Sequence, residues 1–133
     1  MKQLVSLVLT LMLSSDLYST DLEKLYAESF TFDQVAKEKW VLESKNAYVI
    51  EDIHPKAPVH LLVISKQVLP TILAADKELL GEMLELGKKA AVKYRIDQTG
   101  FRTVINTHPE GGQGVYHIHM HILGGRQMMK PLG

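Results

Sequence analysis

The apolar positions along this chain change period several times, and each change marks an element. Val59-His60-Leu61-Leu62-Val63-Ile64 is an almost continuous apolar run, the pattern of a strand buried on both faces. From about Asp76 to Tyr94, Leu79, Leu80, Met83, Leu84, Leu86, Gly87, Ala90, Ala91 and Tyr94 recur at helical spacing behind Pro70, which predicts one long amphipathic helix. Phe101 to Asn106 and Val115 to Leu123 alternate as strands. Trp40-Val41-Leu42 and Ala47-Tyr48-Val49-Ile50 read as a hairpin around the polar turn Glu43 to Asn46. Thr20-Asp21-Leu22-Glu23 has capping-box spacing and predicts a helix from Asp21 to Phe30, while Pro55 and Pro58 punctuate a loop. Short connections in this order predict an α+β domain, a mainly antiparallel sheet with a long helix packed on it.

The chain opens differently. Lys2 precedes the apolar-dominated stretch Leu4 to Leu13, with small residues at Ser15, Ser19 and Thr20, the layout of a secretory signal peptide. Residues 1–19 are therefore read as a signal peptide or N-terminal extension, and 20–133 as the domain. An exported location is favoured over a cytoplasmic one. The run is too short for a stable membrane anchor, which needs roughly 20 residues.

Composition narrows the chemistry. Fifteen Lys and Arg balance fifteen Asp and Glu, so bulk charge offers no nucleic-acid-binding surface. There is no cysteine, which excludes disulfides, thiolate zinc sites and a cysteine nucleophile. There are six histidines, and three of them fall in His117-Ile118-His119-Met120-His121.

On a strand these three share one face, with Ile118, Met120 and Ile122 on the other. Three readings compete for that face: a solvated polar surface, a metal site built on alternate histidines, or phosphorus chemistry with an imidazole nucleophile. No carboxylate flanks the strand closely, Glu110 and Asp52 being the nearest in sequence. Gly111-Gly112-Gln113-Gly114, just before it, favours the third reading, because successive glycine N–H groups can form a nest for a phosphate. Arg126 reads as a surface cation rather than a phosphate contact.

His117 to Leu123 resembles the signature of the histidine triad superfamily, His-φ-His-φ-His-φ-φ with φ apolar, at every position. The segments Gly111 to Tyr116, Leu123 to Met128 and Asp52 to Ile64 are similar to the Hint branch, and the likeness runs from about Trp40 to Gly133. Residues before Trp40 lack that branch's usual opening.

The resemblance implies a HIT-like fold and a hydrolase of purine nucleoside phosphoramidates or related nucleotidyl substrates. It also implies a homodimer and a reaction without metal or cofactor. His119 would attack the α-phosphorus and form a nucleotidyl-imidazole, with the His117 carbonyl and the His60 side chain orienting it. His121 would meet the phosphate or the departing amine. Asp52 would hold the ribose, Ile53 would lie beside the base, and Asn106, Gly112, Gln113 and Gly114 would line the phosphate. Gly114 stands where the branch usually has a serine, and Lys130 where it often has a tryptophan. The missing hydroxyl motivates an alternative, a nucleotide-binding module with weak or vestigial catalysis acting through protein partners. His54 and His108 carry no assigned role.

Overall fold

One apolar stripe sets the longest element. In the computed structural model, which describes residues 21–129, α1 covers 21–28 and α2 covers Lys77–Lys93. The Asp76 carboxylate accepts the N–H of Leu79 at 2.9 Å and caps α2, satisfying one of the donors a helix start leaves orphaned. Met83, Leu86, Gly87, Ala90 and Ala91 are the buried stripe. A Cβ on Gly87 would stand 2.7 Å from the Met120 methyl, so glycine lets the helix sit close on the sheet.

Five antiparallel strands form that sheet: β1 Leu42–Glu43, β2 Ala47–Glu51, β3 Val59–Ser65, β4 Phe101–Val104 and β5 His119–Gly124, in the order β1-β2-β3-β5-β4. β5 lies between β3 and β4, and β4 is an edge. The α+β architecture expected from the hydrophobic pattern is present.

The sheet is apolar on both faces. Ala47, Val49, Leu61, Val63, Met120 and Ile122 pack under α2. Tyr48, Ile50, Leu62 and Ile64 form a second cluster with Phe32, joined at its margin by Val35, Trp40 and Val115. Register puts the histidines on this second face: His119 is opposite Ile64, His121 opposite Leu62, and His60 opposite Leu123.

Several boundaries differ from the sequence reading. β1 is Leu42–Glu43 rather than Trp40–Leu42, because Trp40 closes the turn after Lys37–Lys39 and stacks on Tyr48 at 4.0 Å. α1 stops at 28, before Phe30. β4 ends at Val104. β5 begins at His119, not Val115, because the residues before it bond outside the ladder: Tyr116 N–H donates to Ser29 Oγ and Ile118 N–H to the Leu69 carbonyl. The capping box at Thr20 and the signal-peptide reading lie wholly or partly outside the described residues. Among the described residues no helix is long and apolar enough to cross a membrane.

Candidate active site

Although β5 starts at His119, His117 stays on the same side as the other two histidines: its ring and that of His119 both pack on Phe32, while Ile118 joins Met120 and Ile122 in the cluster under α2. His117 is fully buried and its ring is fully bonded. Nδ1 accepts the Phe32 N–H at 2.9 Å, so Nε2 carries the proton and donates it to the Ser65 carbonyl at 2.7 Å. The three imidazoles share one face as the spacing predicts, but they differ in burial. One of them is a buried strut tying the 32 region to the end of β3, and it meets the cost of burying polar atoms by bonding both.

The carbonyl of that same residue accepts the Nδ1–H of His119 at 2.7 Å. With its proton fixed on Nδ1, His119 keeps a lone pair on Nε2. The Phe32 ring meets the His119 ring edge-on, at a centroid distance of 5.1 Å. Burial holds the His119 imidazole below the ordinary histidine range, against the opposing pull of the His117 carbonyl, so the neutral form prevails at pH 7.

His60 is placed differently from expectation. Its Nε2 lies 2.9 Å from His121 Nδ1 and 3.3 Å from Asp52 Oδ2, and its Nδ1 accepts the Lys56 N–H at 3.0 Å. The side chain that was to orient His119 instead touches His121. Lys56 N–H fixes the proton of neutral His60 on Nε2, and a donor there makes His121 Nδ1 the acceptor. His121 then carries its own proton on Nε2. Burial first, then the neighbouring His119 and His60, push His121 down to about 4. Burial also lowers His60 and His117.

Asp52, His60 and His121 bring one ligand atom each within 4.8 Å of one another, the geometry of a metal trio. A cation on His60 Nε2 would have to displace the proton that Lys56 N–H holds there. The observed bonds describe a hydrogen-bonded relay.

The other expected residues fall as follows. Asp52 Oδ1 accepts the His54 N–H at 2.8 Å, shaping the turn before Pro55, while Oδ2 faces His60. Ile53 is 86% exposed beside it. Asn106 is half-buried just past β4, its main chain 4.0 Å from where a Cβ on Gly111 would stand, so it borders the glycine turn. That turn is not an open nest at its first three positions. The N–H groups of Gly111 and Gln113 go to the His108 carbonyl and that of Gly112 to Pro109. The Gln113 side chain is equally occupied, donating to the Pro70 and Val115 carbonyls and accepting from His108 N–H. Gly112 and Gly114 are exposed. His108 pairs with the Tyr26 hydroxyl at 2.8 Å.

Sequence reasoning missed Phe32, Ser65 and Lys56, which set the tautomers of His117, His60 and, through His60, His121. All three act on the tautomers through main-chain atoms, and only Phe32, whose ring also meets His119, left a faint signal as an aromatic residue in the otherwise polar stretch 31–34.

The HIT domain model matches residues 33–128. The chain belongs to the HIT family. An uncharacterized HIT-like protein of Synechococcus elongatus is 46% identical over 96 residues, covering 70% of this chain and 83% of that protein. The purine nucleoside phosphoramidase of Escherichia coli K12 is 45% identical over 85 residues, 62% of this chain and 68% of that one. Among solved structures, a HIT family hydrolase from Legionella pneumophila matches with a TM-score of 0.67 at 45% identity, covering 71% of this chain and 88% of that one. A histidine triad protein from Clostridium difficile gives 0.66 at 30% identity, covering 71% and 84%. Within this HIT chain, the matched span holds every residue of the histidine cluster.

Proposed function

We propose that this HIT protein hydrolyses purine nucleoside phosphoramidates at the α-phosphorus through a nucleotidyl-His119 intermediate. The observation that carries the reading is the bond from His119 Nδ1–H to the His117 carbonyl, which leaves Nε2 as a neutral nucleophile. The likeness to a relative named purine nucleoside phosphoramidase supports the substrate class.

In the first displacement His119 Nε2 bonds to phosphorus and the P–N bond breaks. The amine departs with a proton from solvent, while the neutral His121 Nε2–H, whose position follows from the His60 bond at Nδ1, donates a hydrogen bond to the phosphate as charge develops there. In the second, water attacks phosphorus and loses its proton to solvent. The P–His119 bond then breaks and nucleoside monophosphate leaves. Asp52 and Ile53 stand at the ribose and base, and Asn106 with Gly112 and Gly114 at the phosphate. Gln113 holds the loop that presents them. We further propose a homodimer, for which the outer edge of β4 is available, and export by the N-terminal segment.

A second reading, a nucleotide-binding module with vestigial catalysis, is favoured by one observation: Gly114 carries no hydroxyl, and a Cβ added there would meet nothing within 4 Å. A phosphoramidate panel assayed with and without chelator separates the two. The enzyme reading expects turnover that survives chelation and disappears in His119→Ala while far-UV circular dichroism stays unchanged. Tight binding of nucleoside monophosphate with no hydrolysis of any phosphoramidate would overturn it.

A further inference from the structure

The family match begins at residue 33, and α1, at 21–28, lies ahead of it. This helix nevertheless holds the loop that leads into the histidine cluster. The Tyr26 hydroxyl lies 2.8 Å from His108 Nε2, and the two rings stack with centroids 6.2 Å apart. The same Tyr26 ring packs on Tyr116 at 5.2 Å. Just after the helix, Ser29 Oγ accepts the Tyr116 N–H at 2.8 Å. The segment 26–29 therefore grips the loop at both ends, at His108 just past Asn106 and at Tyr116 next to His117.

His108 is the hub of that loop. Its carbonyl accepts the N–H groups of Gly111 and Gln113, both at 3.1 Å, and its own N–H donates to Gln113 Oε1 at 3.0 Å. The glycine turn is thus tied to His108 as one body. Gln113 fastens this body on one side, through Nε2 to the Pro70 carbonyl at 2.7 Å, and the His108 ring fastens it to α1 on the other. His108 also has φ +62° and ψ 175°, a backbone region that glycine enters freely and that a side chain strains. Glycine at this place would relieve the backbone and lose the ring. The histidine accepts the strain and holds Tyr26.

We propose that α1 is part of the reaction's apparatus: Tyr26 and His108 are positioning residues that hold the glycine turn, and through it the phosphate, in line with His119 Nε2. The inference rests on the phosphoramidase reading of this site. In-line attack needs phosphorus about 3–3.5 Å from the nucleophile, and a misplacement of about 1 Å costs about a hundredfold in rate. His119 is fixed by the His117 carbonyl. The phosphate is held equally well only if the turn beside it is fixed too. The N–H groups of Gly111, Gly112 and Gln113 shape the turn from within, and α1 anchors it from outside.

Steady-state and single-turnover kinetics of the full chain on an adenosine phosphoramidate, with amide hydrogen exchange beside them, test the role. Tyr26→Phe keeps the ring and removes the hydroxyl. The rate of the first displacement should fall about tenfold, with KM within about twofold. The Gly111 and Gln113 amides should exchange about tenfold faster, while those of β3 and β5 do not change. His108→Gly should show the same loss of rate although its melting temperature stays at or above the parent's, because glycine relieves the backbone. His108→Gln, which restores an acceptor for Tyr26, should regain most of the rate. The double variant Tyr26→Phe with His108→Gly should be no slower than either single one, since both break one contact. The proposal is overturned if Gly111 and Gln113 exchange is unchanged in Tyr26→Phe, if KM alone rises, or if rate falls only with the folded fraction. It is also overturned if the two substitutions multiply to about a hundredfold. If the parent turns over no phosphoramidate, the function reading fails, and the exchange arm alone decides whether α1 holds the turn.

Discussion

His60 Nε2 and His121 Nδ1 lie 2.9 Å apart, and the main-chain N–H of Lys56 decides which of the two donates. A single peptide group thereby fixes two imidazole tautomers and leaves the His121 Nε2 proton facing the site. Replacing His60 removes that instruction. His60→Ala is expected to lower kcat on the order of a hundredfold, the size of one misdirected hydrogen bond to developing charge. KM should change far less. Nitrogen-15 NMR of the His121 ring checks the cause directly: the Nδ1 acceptor signature should vanish with the variant.

The pH dependence follows from one sign. Burial lowers His60, His117 and His119, and carries His121 from 6.5 to about 4. The folded chain therefore binds fewer protons than the unfolded chain below pH 6.5. This stabilisation is whole above 6.5 and is lost as pH falls toward 4. Denaturant melts from pH 8 to 4 should show a flat region and then a decline beginning near 6.5. The acid limb of kcat/KM should lie below 6.5, since His119 must be neutral to attack. An acid limb above 6.5 would contradict the burial seen here.

Gly114 offers a gain-of-function test. A Cβ at this position meets nothing within 4 Å, so Gly114→Ser should fold as well as the parent, within about 0.5 kcal/mol. A hydroxyl there restores a donor toward the leaving group. If amine departure limits the rate, kcat should rise by up to about a hundredfold. Single-turnover kinetics with a fluorescent amine reads that step in isolation.

Gly124 tests the packing instead. A Cβ there would come within 2.8 Å of Ile96 Cδ1 and 3.2 Å of the Gly100 carbonyl, and that main-chain oxygen cannot swing aside. Gly124→Ala should cost about 1–3 kcal/mol by overpacking. At Gly87 the near atom is the flexible end of Met120, so Gly87→Ala should cost less than Gly124→Ala. Urea melts of the two variants give the comparison.

His117→Ala separates strut from reagent. It leaves the Phe32 N–H and the Ser65 carbonyl without the partners they have in a buried place. A loss of stability of about 2–5 kcal/mol is expected, and activity should fall with the folded fraction. Activity lost with full stability retained would make His117 a direct participant.

Much of this molecule is legible in local spacing. The apolar run of β3, the stripe of α2 and the alternation around Met120 and Ile122 each follow from the period of a single element meeting a core, and so do their approximate bounds. The choice of His119 as nucleophile also came from a motif contiguous in sequence. Only the tertiary structure decided what each histidine bonds to. Whether His117 continues β5 depends on Leu69 and Ser29, and its tautomer depends on Phe32 and Ser65. Whether His60 serves His119 or His121 depends on the pairing of β3 with β5. Periodicity reports which face a residue occupies because that is set within one strand or helix. Proton positions are set by main-chain atoms tens of residues away, and a donor such as the Lys56 N–H is common to nearly every residue, so it leaves no mark in a sequence until the fold brings it to a ring.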